Sequence, residues 1–224
     1  MQGLKITAVT RFQPAIPATS DGRIHMDSLL AYAEILPIID TLPPPSLGPS
    51  PPDMGGFLKR VWGEGVESIY AVSDMYPQGV TTTGKEYAHR RYPIDRSGLA
   101  KKSSANRAAG RYKEARKSIH TLSADRWCAL AIGDKEKISA LLERIPSIGV
   151  RGAAGYGRVE KWIVEGADWV TESLILDHKP IPVTAANDLD VNRSSIAVAG
   201  WRNPYWYMPW FGEVMEPEQC LLVN

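Results

Sequence analysis

Eleven lysines and arginines lie between positions 85 and 117 (Lys85, Arg90, Arg91, Arg96, Lys101, Lys102, Arg107, Arg111, Lys113, Arg116 and Lys117), against only Glu86, Asp95 and Glu114. That local excess of +8 sits in a chain whose net charge is +1. A compact cationic run in a neutral protein is what sequence-independent phosphate binding needs, because each Lys or Arg that meets a phosphate releases condensed counterions. Tyr92 and Tyr112 are interleaved with the charge and offer rings for stacking, and His89 and Asn106 offer polar groups for base edges. A merely solvated basic loop would have no use for these side chains, so the mixture favours single-stranded nucleic acid.

A second cluster spans 147–162, SIGVRGAAGYGRVEKW, where Gly149, Gly152, Gly155 and Gly157 are interspersed with Arg151, Tyr156 and Arg158. Glycines permit positive φ and close approach of backbone N–H groups to an anion. A dinucleotide-binding loop follows a strand and opens a helix, and a phosphate-binding P-loop ends in Lys and Ser or Thr. The segment here follows a helical pattern, opens a strand pattern and lacks that ending, so nucleotide cofactors are not expected. A tight helix-to-strand turn accounts for one or two of the four glycines; anion binding accounts for the set with its arginines.

Four histidines are candidates for acid–base chemistry: His25 at the start of a helical pattern, His89 and His120 flanking the basic run, and His178 in a loop. Each is read as a surface or capping residue, and catalysis is not expected. The alternative is a metal-independent endoribonuclease using His25 with Tyr112 or Lys113, the cations stabilising the transition state. Cys128 and Cys220 are the only cysteines, with no paired Cys or His spacing, so neither a disulfide framework, a metal site nor a cofactor is expected.

The elements that must position these residues are legible from periodicity. LKITAVTRF (4–12) alternates Leu4, Ile6, Ala8 and Thr10 with polar or outward residues as a first strand. Residues 24–36 repeat Ile24, Leu29, Leu30, Ala33 and Leu36 at helical spacing up to Pro37. The proline-rich stretch 41–56 is expected to be an extended surface connection. A second strand is expected over 66–77, and a long or bent one over 118–134 with Trp127, Ala129 and Ala131 on one side; the basic run is then an insertion between them. Residues 134–146 form the clearest helix, with Asp134 as cap and Ile138, Leu141, Leu142 and Ile145 as its apolar stripe. A strand over 158–170 closes a β-α-β-β-α-β order, that of the ferredoxin-like fold also found in RNA-recognition motifs. The fold class expected is therefore α+β, with a core over 1–165 and a β-rich appendage over 166–224 whose strands fall at 172–183, 196–201 and 218–223. WRNPYWYMPWF (201–211) is read as an aromatic core pinning that appendage to the sheet, leaving Trp206 or Trp210 to reach a partner. No apolar run approaches the roughly 18 residues of a membrane span, so a cytoplasmic protein without membrane partners is expected.

A ferredoxin-like core with a glycine-rich loop between its second helix and fourth strand resembles the RAMP superfamily, the RNA-binding subunits of class 1 CRISPR effector complexes. IHMDSLLAY (24–32), YPI (92–94), GAAGYGRVEKW (152–162) and WRNPYW (201–206) are together similar to the small subunit of type IV complexes that caps the 5′ end of the guide RNA. The resemblance implies a non-catalytic subunit of an antiviral DNA-interference ribonucleoprotein. Its partners would be the crRNA 5′ handle and the backbone and large subunits, with target DNA beside its recognition motif as a further partner left open. It places a thumb-like insertion at 85–117, which would dock on the neighbouring backbone subunit. It also implies that Gly152, Gly155 and Gly157 let the backbone approach the handle while Arg151 and Arg158 pair with phosphate. Lys101, Lys102, Arg107, Arg111 and Arg116 would hold further phosphates, and Tyr92 or Tyr112 would stack on a splayed base. Arg90, Arg91, Arg96, Lys113 and Tyr156 complete the expected RNA-contacting set.

Overall fold

The computed structural model describes residues 1–17, 22–41, 53–64, 68–90, 115–191, 195–200 and 211–217. Alternation at the N-terminus produces β1 (Gln2–Val9), followed across a turn by the two-residue β2 (Pro14–Ala15). Helix α1 (Met26–Ile35) continues into a 3₁₀ segment, Leu36–Thr41. Strands β3 (Arg60–Trp62) and β4 (Ile69–Tyr70) form a small two-stranded sheet. The longest elements follow, β5 (Tyr76–Arg90) and β6 (Ala115–Gly133). Then come α2 (Lys135–Leu142) and β7 (Lys161–Gly166). The C-terminal part contains α3 (Glu172–Leu176), β8 (Ile181–Pro182), α4 (Val183–Ala186), β9 (Ile196–Gly200) and β10 (Phe211–Met215).

This is a mixed α+β protein built on antiparallel sheets. In the main sheet β1 lies between β7 and β6, and β5 pairs with the other side of β6, so the order across it is β7, β1, β6, β5. Strand β2 continues the β1 side of β6, opposite Ser123 and Leu122. Register explains the core. Leu4 pairs with Ala131, Ile6 with Ala129 and Ala8 with Trp127, and all six are fully buried. They share one cluster with Leu30 and Ala33 of α1 and with Ile138, Leu141 and Leu142 of α2. Each large aliphatic side chain so buried contributes about 1.5–3 kcal/mol, which is why the apolar stripe of α2 holds against this face. Asp134 caps α2 as expected, its carboxylate accepting from the N–H groups of Glu136 and Lys137 at 2.9 and 3.0 Å. The opposite face is covered at one end by a smaller cluster, Ala71, Leu130, Ala167, Val170 and Ile175.

Two expectations are corrected. The strand expected over 66–77 is interrupted. Residues 71–73 do run along β6, with Ile132 N–H donating to Ala71 and Ser73 N–H to Leu130. The Ser73 hydroxyl accepts from Leu130 N–H and Asp74 turns toward Arg23 and His25, so regular pairing resumes only at Tyr76. The segment 172–183, read as a strand, opens instead as a helix, Glu172–Leu176. The Thr171 hydroxyl accepts from Leu174 N–H, a cap that lets one short helix bury Ile175 and Leu176 and leaves only Ile181–Pro182 extended. The strand over 196–201 is present as β9, pairing with β10, which in turn pairs with β8. Most of the proline-rich stretch, most of the aromatic segment and the strand expected at 218–223 lie outside the described residues. Among the described residues no helix is long and apolar enough to cross a membrane.

Candidate nucleic-acid interface

The glycine-rich loop leaves α2 and is stitched to two other segments. Its base is a two-residue pairing of Ser147 with Arg158, and Ile148 N–H donates to Gly157 C=O at 2.8 Å. Gly157 N–H donates to Pro14 C=O at 2.7 Å and Val150 N–H to Ile16 C=O at 2.9 Å, fixing the loop to the β2 segment. Three of the glycines have a reason inside the chain. A Cβ at Gly149 would lie 2.4 Å from Ile16 O, one at Gly157 2.0 Å from Ile148 O, and one at Gly152 1.9 Å from Ser147 Oγ. Gly155, at φ +91°, faces open space. Between these fixed points the loop rises in a single 3₁₀ turn, Gly152–Ala154, flanked by Arg151 at φ 63° and by Gly155. A non-glycine residue held left-handed carries strain of roughly 1–3 kcal/mol. The strain here presents the Arg151 side chain to solvent.

Neighbouring strain lies in the turn after β1. Arg11 and Phe12 both have positive φ, and the turn is held by Arg11 N–H donating to Asp125 and Phe12 N–H to Ala124. Arg11 pairs with Glu160, whose N–H donates to Val9 C=O, so this turn and the glycine loop share one rim.

The cationic run divides into arms and tip. Strands β5 and β6 pair as far as Arg90 opposite Ala115, with His89 opposite Arg116 and Lys85 opposite His120. The ends of the expected insertion are therefore strand. Of the expected site residues, Arg90 and Arg116 lie on these arms, while Arg91, Tyr92, Arg96, Lys101, Lys102, Arg107, Arg111, Tyr112 and Lys113 lie outside the described residues. Lys85 Nζ stands 5.9 Å from the centre of the Tyr87 ring, and both side chains are exposed. One hydrogen bond joins loop to hairpin: the Tyr156 hydroxyl donates to the Glu86 carboxylate, which holds the tyrosine pKa above its usual range. Tyr156, expected at the interface for its ring, is thus also a tether.

Beside the loop runs a groove of about 720 Å³ between α1 and residues 145–158, with Arg158 and Tyr32 on its walls. Sequence reading puts nothing on this face of α1; the signal is the exposed Tyr32 in a helix otherwise accounted for by core packing.

The histidines separate. His25 Nδ1 is 3.0 Å from Asp74 Oδ1, and Arg23 reaches the other oxygen of that carboxylate at 3.3 Å. His178, read from sequence as a surface loop residue, is buried, because the Tyr76 hydroxyl and Asp74 N–H both donate to its backbone carbonyl and draw the segment inward. Next to it Lys179 is buried against Asp27 of α1 at 2.9 Å. The residues expected to work with His25, Tyr112 and Lys113, lie outside the described residues, while His120 is exposed on β6.

No curated protein matches the chain. A family profile does, over residues 71–217, a span that takes in the hairpin, the glycine loop and the C-terminal sheet and amounts to well over half of the sequence. The chain belongs to the family of the CRISPR type IV associated protein Csf3.

Proposed function

We propose that this chain is a non-catalytic RAMP-type subunit that binds guide RNA, caps the crRNA 5′ handle in a type IV complex and docks by its hairpin on the neighbouring backbone subunit. The observation that carries the reading is the Tyr156–Glu86 bond, which joins the glycine loop to the root of the cationic hairpin. Family membership supplies the type IV setting. The antiparallel order β7, β1, β6, β5, with α1 between the first two strands of that core and α2 between the last two, supports a ferredoxin-like core. Cationic residues on the hairpin and the loop would follow the sugar–phosphate backbone, and Tyr92 or Tyr112 would stack on a splayed base.

The test is to incubate the protein with labelled precursor guide RNA in EDTA, alone and with the other subunits of the complex, at two salt concentrations. Intact RNA retained through its 5′ handle in the assembled complex is the expected result. Replacing Lys101, Lys102, Arg107 and Arg111 by Gln should flatten the slope of log K against log salt by about 0.7 for each phosphate no longer neutralised. Specific cleavage by the protein alone would overturn the reading. It would favour the endoribonuclease, for which the His25–Asp74 pair at 3.0 Å is the specific observation; His25→Ala should then abolish the products.

A further inference from the structure

The three-stranded C-terminal sheet has the order β8, β10, β9, and among the described residues β9 is paired on one side only. The register decides which groups its other edge presents. Glu216 N–H donates to Ser195 C=O, and the pairing runs unbroken from Ile196 opposite Met215 to Gly200 opposite Phe211. Hydrogen-bonded and non-bonded pairs alternate along an antiparallel ladder, so Ser195, Ala197 and Ala199 direct their backbone groups at β10, whereas the N–H and C=O of Ile196 and Val198 point outward. Natural sheet edges are blunted by lysine, proline or a bulge. Strand β9 reads Ile-Ala-Val-Ala-Gly and has none of these.

The side chains agree with the backbone. Residues directly opposite one another share a face, so Ile181 of β8, Met215 of β10 and Ile196 of β9 form one row across the sheet. At the β8 end that face is covered, with Ile181 fully buried in a cluster with Ile69, Leu176 and Ala185. At the β9 end it is open: Ile196 is 57% and Val198 74% exposed. Outward backbone groups and exposed apolar side chains thus fall on the same two residues, which is the pattern that accepts an added strand. Net charge narrows the occupant. Residues 172–224 hold seven carboxylates against Lys179, Arg193 and Arg202, a net of −4, and Lys179 is buried. Glu213, opposite Val198, is exposed beside the apolar strip. That field repels phosphate, and a second copy meeting edge to edge would set two acidic sheets side by side. A polypeptide strand carrying Lys or Arg is complementary.

We infer that the outer edge of β9 is a docking site for an extended, basic segment of another subunit of the type IV complex, apolar at alternating positions, which joins the sheet as a fourth strand. This surface lies on a different sheet from the cationic hairpin and does not depend on how the chain binds RNA. Val198→Pro is the informative variant. It removes an outward N–H and leaves the bonds between β9 and β10 in place, a substitution that edge strands tolerate.

The experiment measures hydrogen exchange at single amides in the full chain, alone and with each purified subunit of the complex in turn. In the chain alone, the Ala197 and Ala199 amides should be protected and those of Ile196 and Val198 should exchange freely. One subunit should then protect Ile196 and Val198 as well. Val198→Pro and Val198→Lys should each weaken binding of that subunit by about tenfold, while Val198→Thr binds as the parent does. Continued protection of Ala197 and Ala199 in the variants shows that the sheet is intact; if the proline disturbs it, Val198→Lys decides. If no subunit slows exchange at Ile196 and Val198 and both variants assemble like the parent, the docking site is refuted. Protection that appears in the monomeric chain alone would mean that its own residues cover the edge, and protection that rises with concentration alongside a dimer mass would mean a second copy; either result overturns the inference. Loss of guide-RNA binding in Val198→Lys with subunit assembly unchanged would make the edge a nucleic-acid surface and overturn it too.

Discussion

Gly157 and Gly155 lie two positions apart with positive φ, and only Gly157 is crowded, by the Ile148 carbonyl. Gly157→Ala must therefore move backbone as well as adopt a left-handed alanine, and it should destabilise the protein by about 3 kcal/mol or more. Gly155→Ala carries the conformational cost alone, about 1–2 kcal/mol. Urea titration of the two variants checks the difference. The same pair shows where sequence reading stops. Four glycines among arginines are visible in the string, but which are needed for folding depends on Ser147 and Ile148 across the base of the loop and, for Gly149, on Ile16, more than 130 positions earlier. Arg151, by contrast, is identifiable from charge and position, and it is exposed on the strained crest of the loop.

At the scale of elements, the hairpin leaves the sheet as a two-stranded ribbon: β1 reaches β6 only from Arg126 onward and β2 only at Leu122 and Ser123. A two-stranded ribbon is marginal by itself, so the Tyr156–Glu86 tether matters to its aim. Because the tyrosine pKa is raised in the folded state, the bond's contribution is complete below the unfolded value of about 10 and is lost as pH rises through the folded one. Difference titration of phenolate absorbance, wild type against Tyr156→Phe, should show the missing group ionising above the ordinary tyrosine range; an ordinary value would mean the tether is not formed. Tyr156→Phe should also weaken RNA retention while lowering the unfolding midpoint only slightly, because the bond is exposed. The ribbon's arms are hidden in the sequence because their charges resemble loop, whereas α2 and β1 are plain because their apolar periods match the face they bury. The segment 172–183 misleads for the complementary reason: Ile and Leu at alternating and adjacent positions fit either period, and the Thr171 cap decides.

In the whole molecule, the N-terminal helix is joined to the C-terminal segment by buried charge. Lys179 and Asp27 are almost wholly buried, and Arg23 bridges Asp74 and Glu216. Lys179→Met leaves the Asp27 carboxylate buried without its cation and should cost about 3–5 kcal/mol, while the paired replacement Asp27→Leu with Lys179→Met should recover most of that loss in urea denaturation. Nothing in the sequence announces this pairing, since a lysine in a loop and an aspartate in a first helical turn are each ordinary. It also sets a clock on biosynthesis. Lys179 follows Asp27 by 152 residues, which at roughly 5–20 residues per second is about 8–30 s of translation. Over that interval the emerging first helix has a carboxylate without its lysine, while β1 gains β6 and then β7 only once residues 115–133 and 161–166 have been made. The cationic segment is thus made before Lys179, and closure of this buried pair waits for the last third of the chain.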